Sequence, residues 1–288
     1  MLTYEACSLC PRCCGVDRNR GQKGYCRGPE HAVVSKTMIH RWEEPALAGA
    51  GGSGAIFFGG CTLGCVVCQN NAISNAPMGT EMDSAALRRA MEGLIRQGAE
   101  NIDLVTPTQY LPTIIPALTP KLPVPVVYNC GGYERVETLR ELDGLVDIYL
   151  PDLKYADADL AKKLSGAGDY PAVAAEAIQE MVRQTGGPRW RGERLVSGTV
   201  IRHLILPGQV ENSLRVLDWI GDHFAPGEVL VSLMRQYTPM AATADMPPLD
   251  RRITEEEYDA VLSWMYLNDL EGFVQEPEAA DAAFIPDF

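Results

Sequence analysis

The chain has 288 residues, of which 46% are hydrophobic and 22% are charged, and its formal net charge at pH 7 is −13. The hydrophobic fraction excludes an intrinsically disordered chain, and the length suffices for one large domain or two modest ones. The negative charge argues against broad binding of phosphate backbones, so we expect no nucleic-acid partner.

No run of about eighteen apolar residues occurs in the sequence, so no membrane-spanning segment and no membrane partner are predicted. The first residues hold cysteine and arginine where a signal peptide carries an apolar stretch. Nine cysteines without such a signal indicate a reducing compartment, in which clustered thiols hold metal more often than they form disulfides. We therefore expect a cytoplasmic protein with metal-binding cysteines.

The first 30 residues are rich in cysteine, glycine and arginine, and they lack an apolar pattern long enough for a helix or a strand. Such a segment has too little to bury to fold without a cross-link or a metal. The four cysteines that suit a closed site are Cys7, Cys10, Cys14 and Cys26, with Cys13 as a spare. Structural zinc, a complete auxiliary [4Fe–4S] cluster and a segment without metal are the three alternatives. Residues 31–53 look irregular, so residues 1–53 are predicted to form a metal-binding segment and a linker.

Beyond residue 53, short apolar runs alternate with segments of helical period. The predicted strands are residues 55–58, 102–105, 124–128, 146–150, 198–206 and 229–234. The predicted helices are residues 83–97, 134–143, 172–184, 212–224 and a last helix from the capping box of Thr254 and Glu257 to about residue 270. In residues 110–118, Pro112 and Pro116 interrupt the helical pattern.

Six apolar strands with intervening helical segments imply parallel crossover connections and an α/β architecture. The pattern by itself is compatible with an open six-strand barrel and with a doubly wound sheet. In either architecture the chemistry sits at the carboxyl ends of the strands. Unusual residues fall at these ends, namely Cys61, Thr106, Thr108, Asn129, Cys130, Asp152, Lys154, Gln236 and Tyr237. We therefore expect the functional site at this edge of the sheet.

The segment after the first of these strands carries Cys61, Cys65 and Cys68 in the spacing C-x3-C-x2-C. Three cysteines do not close a four-coordinate zinc site, but they hold three corners of a [4Fe–4S] cube and leave the fourth iron open to a chelating ligand. Glycines at positions 59, 60 and 64 permit tight wrapping and backbone N–H bonds to sulfur. The alternative is a zinc knuckle that borrows a fourth ligand from elsewhere.

This spacing, directly after a first strand, resembles the radical S-adenosylmethionine (SAM) superfamily. Across nearly the whole chain the sequence is similar to an uncharacterised branch of pyruvate formate-lyase activating enzyme homologues. The matching stretches are CSLCPRCCGVDRNRGQKGYC, AIFFGGCTLGCVVCQN, NIDLVTPTQYLP, VVYNCGGYE, LDGLVDIYLPDLKYAD, EMVRQTG, IRHLILPG and VSLMRQYTP. The resemblance implies an open (β/α)6 partial TIM barrel over residues 54–270, preceded by the small cysteine-rich segment and followed by a C-terminal tail at residues 271–288.

The resemblance implies a radical SAM oxidoreductase in which Cys61, Cys65 and Cys68 bind a [4Fe–4S] cluster whose open iron binds SAM. An electron from the cluster cleaves SAM to a 5′-deoxyadenosyl radical, which abstracts a hydrogen atom from the substrate. A flavodoxin or a ferredoxin is the expected electron donor. A glycyl radical enzyme is the expected partner if the chain is an activase. The alternatives are radical SAM modification of a small molecule or a peptide, and a non-catalytic zinc-binding module.

The resemblance also implies which polar residues contact SAM. The expected SAM-binding residues are Thr106, Thr108, Asn129, Asp152, Arg202 and Gln236. Lys154 is expected to take a catalytic role by pairing with Asp152 or reaching a substrate carboxylate, and the alternative is a solvated lysine. His203 faces the opposite side of its strand by alternation, which favours a satisfied core histidine. Cys130 is expected to be buried because free cysteine packs as a small hydrophobe.

Overall fold

In residues 2–275, which the computed structural model describes, ten strands form one mixed sheet. The strands are β1 (Ala32–His40), β2 (Ser53–Phe58), β3 (Thr80–Met82), β4 (Asn101–Val105), β5 (Val126–Cys130), β6 (Ile148–Pro151), β7 (Arg189–Arg191), β8 (Arg194–Leu204), β9 (Leu230–Met234) and β10 (Gly272–Val274). The helices are α1 (Pro45–Ala48), α2 (Asn71–Ser74), α3 (Ser84–Arg96), α4 (Leu111–Ala117), α5 (Val136–Arg140), α6 (Ala158–Ser165), α7 (Tyr170–Thr185), α8 (Val210–His223) and α9 (Glu255–Leu267).

The six predicted strands pair side by side as the parallel strands β2, β4, β5, β6, β8 and β9. All residues of β2, β4, β5, β6 and β9 are buried, as parallel strands covered on both faces require. Their spatial order follows the chain without a reversal, whereas a doubly wound sheet reverses at a switch point. In the described part of the chain, β10 and β3 end the strand order and leave the barrel open. The predicted fold class, an open α/β partial barrel, is confirmed.

The predicted helices are present as α3, α5, α7, α8 and α9, and the described residues also form the short helices α1, α2 and α6, which were not predicted. The capping box predicted before α9 forms, because the Thr254 side chain and the Glu257 side chain each accept the other residue's backbone N–H. The predicted interruption of residues 110–118 is wrong, because they contain α4: Pro112 lies in its first turn and breaks no intrahelical hydrogen bond, and Pro116 lies inside the helix one residue before its end. Helical periodicity therefore located the long helices well.

The prediction that residues 31–53 are irregular is wrong. They contain β1, which pairs antiparallel with β2 so that Met38 lies opposite Ala55, and they contain α1. Only the first three residues of β1 are fully buried, and the polar residues that follow break the apolar pattern on which the prediction depended. The short helix α1 begins at Pro45, where the missing N–H of proline costs nothing.

Residues 43–48, here called the inner segment, lie inside the barrel. Leu47 is buried there among inner-face residues of the strands, namely Val127, Ile148, Leu150, Val200 and Leu230. The Asn101 side-chain amide donates to the Leu47 carbonyl at 2.8 Å, and the Ser232 hydroxyl bonds the Glu44 carboxylate at 2.6 Å. Because Asn101, Ile148 and Leu230 are the first residues of β4, β6 and β9, the inner segment fills the amino-terminal part of the barrel. The carboxyl edge of the sheet remains as the open side.

The predicted C-terminal tail begins with β10, which pairs in parallel with β9. Residues 276–288 lie outside the described residues, and the division of the chain at residues 53 and 270 stays a prediction. Within the described residues, no helix combines the length and the apolar character that crossing a membrane requires.

Replacing Leu47 by alanine tests whether the inner segment is part of the core. Leu47 is 2% exposed, so Leu47→Ala is expected to lower the free energy of unfolding by about 2–5 kcal/mol. The matched control is Leu267→Ala in α9, which removes a side chain that is 74% exposed and should change the stability by less than about 0.5 kcal/mol. Urea denaturation of the two variants measures the difference, and equal stabilities would contradict the packing of the inner segment.

Candidate functional site

A cavity of about 260 Å³ opens at the carboxyl edge of the parallel strands. Its lining includes every residue that the sequence placed in the SAM site, namely Cys61, Cys65, Cys68, Thr106, Thr108, Asn129, Asp152, Lys154, Arg202 and Gln236. Cys130 and Glu43 also line it, whereas the four cysteines Cys7, Cys10, Cys14 and Cys26 do not. The fold thus brings together side chains from five strand ends and one loop.

The cysteine loop, residues 59–70, presents its three sulfurs to the cavity, and each sulfur accepts a hydrogen bond. The Leu63 N–H donates to Cys61 Sγ at 3.4 Å. The Ser165 hydroxyl donates to Cys65 Sγ at 2.9 Å, and the Ser74 hydroxyl donates to Cys68 Sγ at 3.6 Å. Such bonds favour the thiolate form, which is the form that ligates metal.

The backbone of the cysteine loop depends on glycine at its first turn. Gly60 has φ +79°, and a Cβ atom there would lie 2.4 Å from the Cys26 carbonyl oxygen. Any other residue at this position would therefore strain the backbone and collide with the N-terminal segment. Gln109, which follows β4, donates its side-chain amide to the Gly60 carbonyl at 3.0 Å and so holds the same turn.

The donor chemistry of the loop fits an iron–sulfur cluster. Burial, together with the neighbouring sulfurs of Cys65 and Cys68, raises the pKa of Cys61 to about 12, and burial also raises the pKa of Cys68. A bound cation reverses this effect because coordination deprotonates the thiols. Among residues 2–275, no three histidine, cysteine or carboxylate side chains are placed to hold one metal ion. A cube carries its thiolates on separate irons, so its ligands stand farther apart than those of one zinc ion.

Asp152, at the end of β6, lies between two cations. Arg202 Nε donates to Asp152 Oδ1 at 2.9 Å, and Lys154 Nζ donates to Asp152 Oδ2 at 2.5 Å. Burial raises the pKa of Asp152, but attraction to Arg202 and Lys154 outweighs it, and the pKa lies below its usual value. The structure does not match the alternative of a solvated lysine, since the ammonium of Lys154 is paired and lies mostly buried. Asp152 caps no helix, because the next helix begins at Ala158.

Arg202 connects three strands and the inner segment. Besides Asp152, its guanidinium donates to Asn129 Oδ1 at 2.6 Å and lies 3.5 Å from the Glu43 carboxylate. Asn129 in turn donates to Asp103 Oδ2 at 3.4 Å. Burial, with the nearby Glu43 carboxylate, raises the pKa of Asp103 well above its usual value. The arginine is thus held by a set of acidic and amide groups rather than presented to the cavity alone.

Glu43 and Asp103 are two residues of the site that were not predicted from the sequence. Asp103 lies within an apolar run that was predicted as a buried strand, and a carboxylate in such a run was a usable signal. Glu43 carried no comparable signal, because its partner Arg202 is distant in the chain and the segment around Glu43 looked irregular.

A third missed residue is Glu134, which is buried against the cavity-lining residue Thr108. The Thr108 hydroxyl donates to Glu134 Oε1 at 2.6 Å, and the Tyr128 hydroxyl donates to Oε2 at 3.3 Å. Burial raises the pKa of Glu134 to about 7, although these two hydroxyls lower it. Thr106, which like Thr108 follows β4, has φ +60°. This is a strained conformation for a β-branched residue, and such strain concentrates at ligand sites.

The remaining predicted positions have simpler environments. Gln236 accepts a bond from the Gln275 side chain at 3.3 Å, and its own side-chain nitrogen lies near the Met234 sulfur. His203 is the satisfied core residue that alternation predicted, because its two ring nitrogens bond the Leu153 carbonyl and the Ser213 hydroxyl. Burial lowers the pKa of His203 to about 4, so the ring is neutral. Cys130 is buried as predicted.

The chain is similar to the uncharacterised protein MJ0674 of Methanocaldococcus jannaschii. The two are 28% identical over 271 residues, which is 90% of this chain and 74% of that protein. No protein-family model matches the chain.

Three solved structures share the fold. SuiB of Streptococcus suis bound to its precursor peptide SuiA has a TM-score of 0.54 at 12% identity, over 76% of this chain and 47% of SuiB. A mutant spore photoproduct lyase with dinucleoside spore photoproduct has a TM-score of 0.51 at 10% identity, over 84% of this chain and 79% of that one. Methylornithine synthase (PylB) has a TM-score of 0.50 at 16% identity, over 76% of this chain and 63% of that one. The chain therefore shares the partial-barrel fold of these three structures, and it spans about half of SuiB.

Removing the carboxylate of Asp152 tests the buried charge cluster. Asp152→Ala leaves Arg202 and Lys154 without their shared partner, so the free energy of unfolding is expected to fall by about 3–5 kcal/mol. The control is Lys121→Ala, which breaks the more exposed ion pair with Asp147 and should cost less than about 1 kcal/mol. Chemical denaturation compares the variants, and a similar small loss in both would contradict this account.

The raised pKa of Glu134 predicts a pH-dependent stability. The folded protein holds the Glu134 proton to about pH 7, above the usual glutamate range, so this stabilisation is present at low pH and is lost as the pH rises through about 7. Between pH 6 and pH 8 the wild type should lose about 1.4 kcal/mol that Glu134→Gln does not lose. Urea denaturation of both proteins at the two pH values gives this difference, and parallel losses would refute the buried neutral carboxyl.

Proposed function

We propose that the chain is a radical SAM enzyme that binds a [4Fe–4S] cluster through Cys61, Cys65 and Cys68. The observation that carries the proposal is that these three sulfurs line one cavity with the polar strand ends of a partial TIM barrel. When bound, the cluster and SAM supply a 5′-deoxyadenosyl radical that abstracts a hydrogen atom from the substrate.

The cysteine loop holds the cluster and shields it. The hydrogen bonds from the Leu63 N–H and the Ser165 and Ser74 hydroxyls stabilise three thiolates. Leu63 and Val67 are buried and line the cavity beside the sulfurs, so they limit the access of water. A dry surrounding strengthens the electrostatic interactions of the site.

The polar strand ends bind SAM in this proposal. Thr106, Thr108 and Gln236 offer neutral hydrogen-bonding groups at the cavity wall. Lys154 and Arg202 supply the positive charge that suits the SAM carboxylate, and Asp152 holds both cations in place. Asn129, which Arg202 orients, completes this side of the site.

Lys154 also suits a catalytic role. Its ammonium is near enough to Cys65 and Cys68 for electrostatic interaction with both sulfurs, and attraction to Asp152 keeps its pKa well above the usual value despite burial. Lys154 therefore stays charged and orients a carboxylate next to the cluster instead of acting as a base.

A non-catalytic zinc-binding module is the competing class. A structural zinc site needs four donors around one ion. Within residues 2–275, no three candidate donors are grouped for such an ion, and the three cysteine sulfurs face a cavity. An open cavity beside the ligands is typical of a site that admits a reactant, so the enzyme is the preferred class.

The size of the cavity favours a substrate that places only its reacting group at the mouth of the cavity. Sites that enclose a drug-sized ligand measure roughly 300–1,000 Å³, and this cavity measures about 260 Å³. SAM would occupy most of this space, because the inner segment fills the barrel below Arg202. A glycyl radical enzyme that inserts a backbone segment fits this constraint, and modification of a peptide or a small molecule is the second candidate. A flavodoxin or a ferredoxin would supply the electron.

Anaerobic incubation of iron-reconstituted protein with SAM and dithionite tests the chemistry. The wild type is expected to release 5′-deoxyadenosine, measured by chromatography, and Cys65→Ala is expected to release none because one corner of the cluster is lost. Cys13→Ala is the control, because Cys13 is exposed and lies outside the cavity, and it should retain wild-type activity. Undiminished product from Cys65→Ala would refute the proposed site.

The identity of the substrate class needs a separate experiment. The reduced protein with SAM is mixed with a purified glycyl radical enzyme from the same genome, and glycyl radical formation is followed by electron paramagnetic resonance (EPR). An activase yields this signal only with wild type and Cys13→Ala, and not with Cys65→Ala. Release of 5′-deoxyadenosine without a glycyl radical on any such partner would favour the peptide or small-molecule alternative.

A further inference from the structure

The N-terminal segment has little apolar material to hold it together. In residues 2–30 the buried apolar cluster consists of Tyr4, Cys7 and Leu9, and one short 3-10 turn at Arg18–Arg20 is the regular structure assigned there. The segment nevertheless keeps a defined path, which includes the mutual hydrogen bonds between Cys7 and the backbone at Gly15 and Val16. A cross-link or a bound metal, rather than hydrophobic packing, would account for this path.

Four of its cysteines converge. The hydrogen bonds of Cys7 place it beside the turn that carries Cys14. The Tyr25 N–H donates to Cys14 Sγ at 3.3 Å, which brings the turn before Cys26 against Cys14. A Cβ atom at Gly24 would lie 2.9 Å from Cys14 Sγ, so glycine permits this close approach.

Electrostatic interactions connect the same four sulfurs. Cys10 interacts with Cys14 and Cys26, and Cys26 interacts with Cys7 and Cys14. Cys13 differs, since it is exposed and its Sγ donates to the Cys10 carbonyl at 3.5 Å. The structure thus separates four converging cysteines from the fifth.

The N-terminal sulfurs repeat a local arrangement of the cysteine loop. Cys61 accepts the N–H of the residue two positions later, and Cys68 interacts with the N–H two positions later in the same way. The backbone N–H groups of Arg12 and Gly28, again two positions later, contact the sulfurs of Cys10 and Cys26 in the same way. Backbone N–H groups directed at sulfur are the outer-shell support of an iron–sulfur cluster.

We propose that Cys7, Cys10, Cys14 and Cys26 bind a second [4Fe–4S] cluster with all four corners ligated by protein, which anchors the N-terminal segment on the cysteine loop. Four thiolates complete the ligand set of a cube, and these four cysteines lie close enough for electrostatic interaction with one another. Because protein ligates all four corners, this cluster leaves no iron open to SAM. The four cysteines also lie outside the cavity. The second cluster does not depend on SAM cleavage, whereas its effect on the cysteine loop rests on the proposed function.

Arg12 connects the N-terminal segment to the cysteine loop through hydrogen bonds. It lies between Cys10 and Cys13, and its guanidinium donates to the carbonyls of Thr62 at 3.0 Å and Ser165 at 2.9 Å. The guanidinium also lies over the Tyr25 ring at 4.0 Å. A cluster on the flanking cysteines would fix the backbone that carries Arg12, and Arg12 would then position the loop that carries Cys61 and Cys65.

Iron analysis of variants that each lack one of the two cysteine groups tests the site. The triple variant Cys61→Ala, Cys65→Ala, Cys68→Ala removes the SAM cluster, so about four irons and four sulfides per chain should remain after anaerobic reconstitution, with the EPR signal of a reduced [4Fe–4S] cluster. The quadruple variant with alanine at Cys7, Cys10, Cys14 and Cys26 should likewise retain about four, and wild type and Cys13→Ala about eight. A triple variant that contains no iron, or that contains one zinc, overturns the proposal.

Two other outcomes, an unfolded triple variant and a wild type that does not cleave SAM, also have a definite interpretation. If the triple variant does not fold, judged by far-UV circular dichroism, the wild-type count decides, because about four irons per chain overturns the proposal and about eight supports it. Failure of SAM cleavage in a wild type with about eight irons would count against the proposed function and not against the second cluster.

Chelator challenge tests the anchoring. In Arg12→Ala, the cluster on Cys61, Cys65 and Cys68 should lose iron to a chelator about tenfold faster, because the hydrogen bonds from a charged group to the Thr62 and Leu63 carbonyls of the loop are lost. The matched control is Arg20→Ala, because Arg20 is exposed and pairs with Asp17 away from the loop. The loss is followed by the EPR signal of the SAM-responsive cluster, and equal rates in the two variants would refute the positioning role of Arg12.

Discussion

The site depends on the compensation of one buried guanidinium, that of Arg202. A charged group inside a barrel is tolerated only when opposite charges and hydrogen-bond acceptors surround it. Asp152 at the end of β6, Asn129 on β5 and Glu43 of the inner segment provide these groups. The same interactions draw three strand ends and the inner segment together, so satisfying one charge also shapes the wall of the cavity.

The cysteine loop depends on a different requirement. Its backbone has little regular secondary structure, so its polar groups need hydrogen-bond partners from outside the loop. Its carbonyl groups accept bonds from side chains outside the loop: Tyr110 on Gly59, Gln109 on Gly60, Arg12 on Thr62 and Tyr25 on Leu63. The carbonyls therefore have protein partners, and N–H groups of the loop remain for the sulfurs. Two of the four donors belong to the N-terminal segment, so that segment takes part in forming the site.

The elements that the sequence predicted and those that it missed differ in one physical property. The six parallel strands are buried along most of their length, and uninterrupted apolar runs revealed them. β1 carries polar residues after its buried start, and the inner segment carries two carboxylates into the barrel. Neither has an apolar period, because strand pairing and distant partners, not local burial, hold them in place.

The sequence by itself determined the α/β class, the succession of strands along the chain and the edge of the sheet at which unusual side chains gather. It did so because apolar periodicity and the placement of residues at strand ends are local properties. Only the tertiary structure decided that Glu43 lies against Arg202, that Glu134 is buried beneath Thr108, and that Arg12 contacts the cysteine loop. These contacts join residues far apart in the chain, and no local pattern encodes the partner of a buried charge.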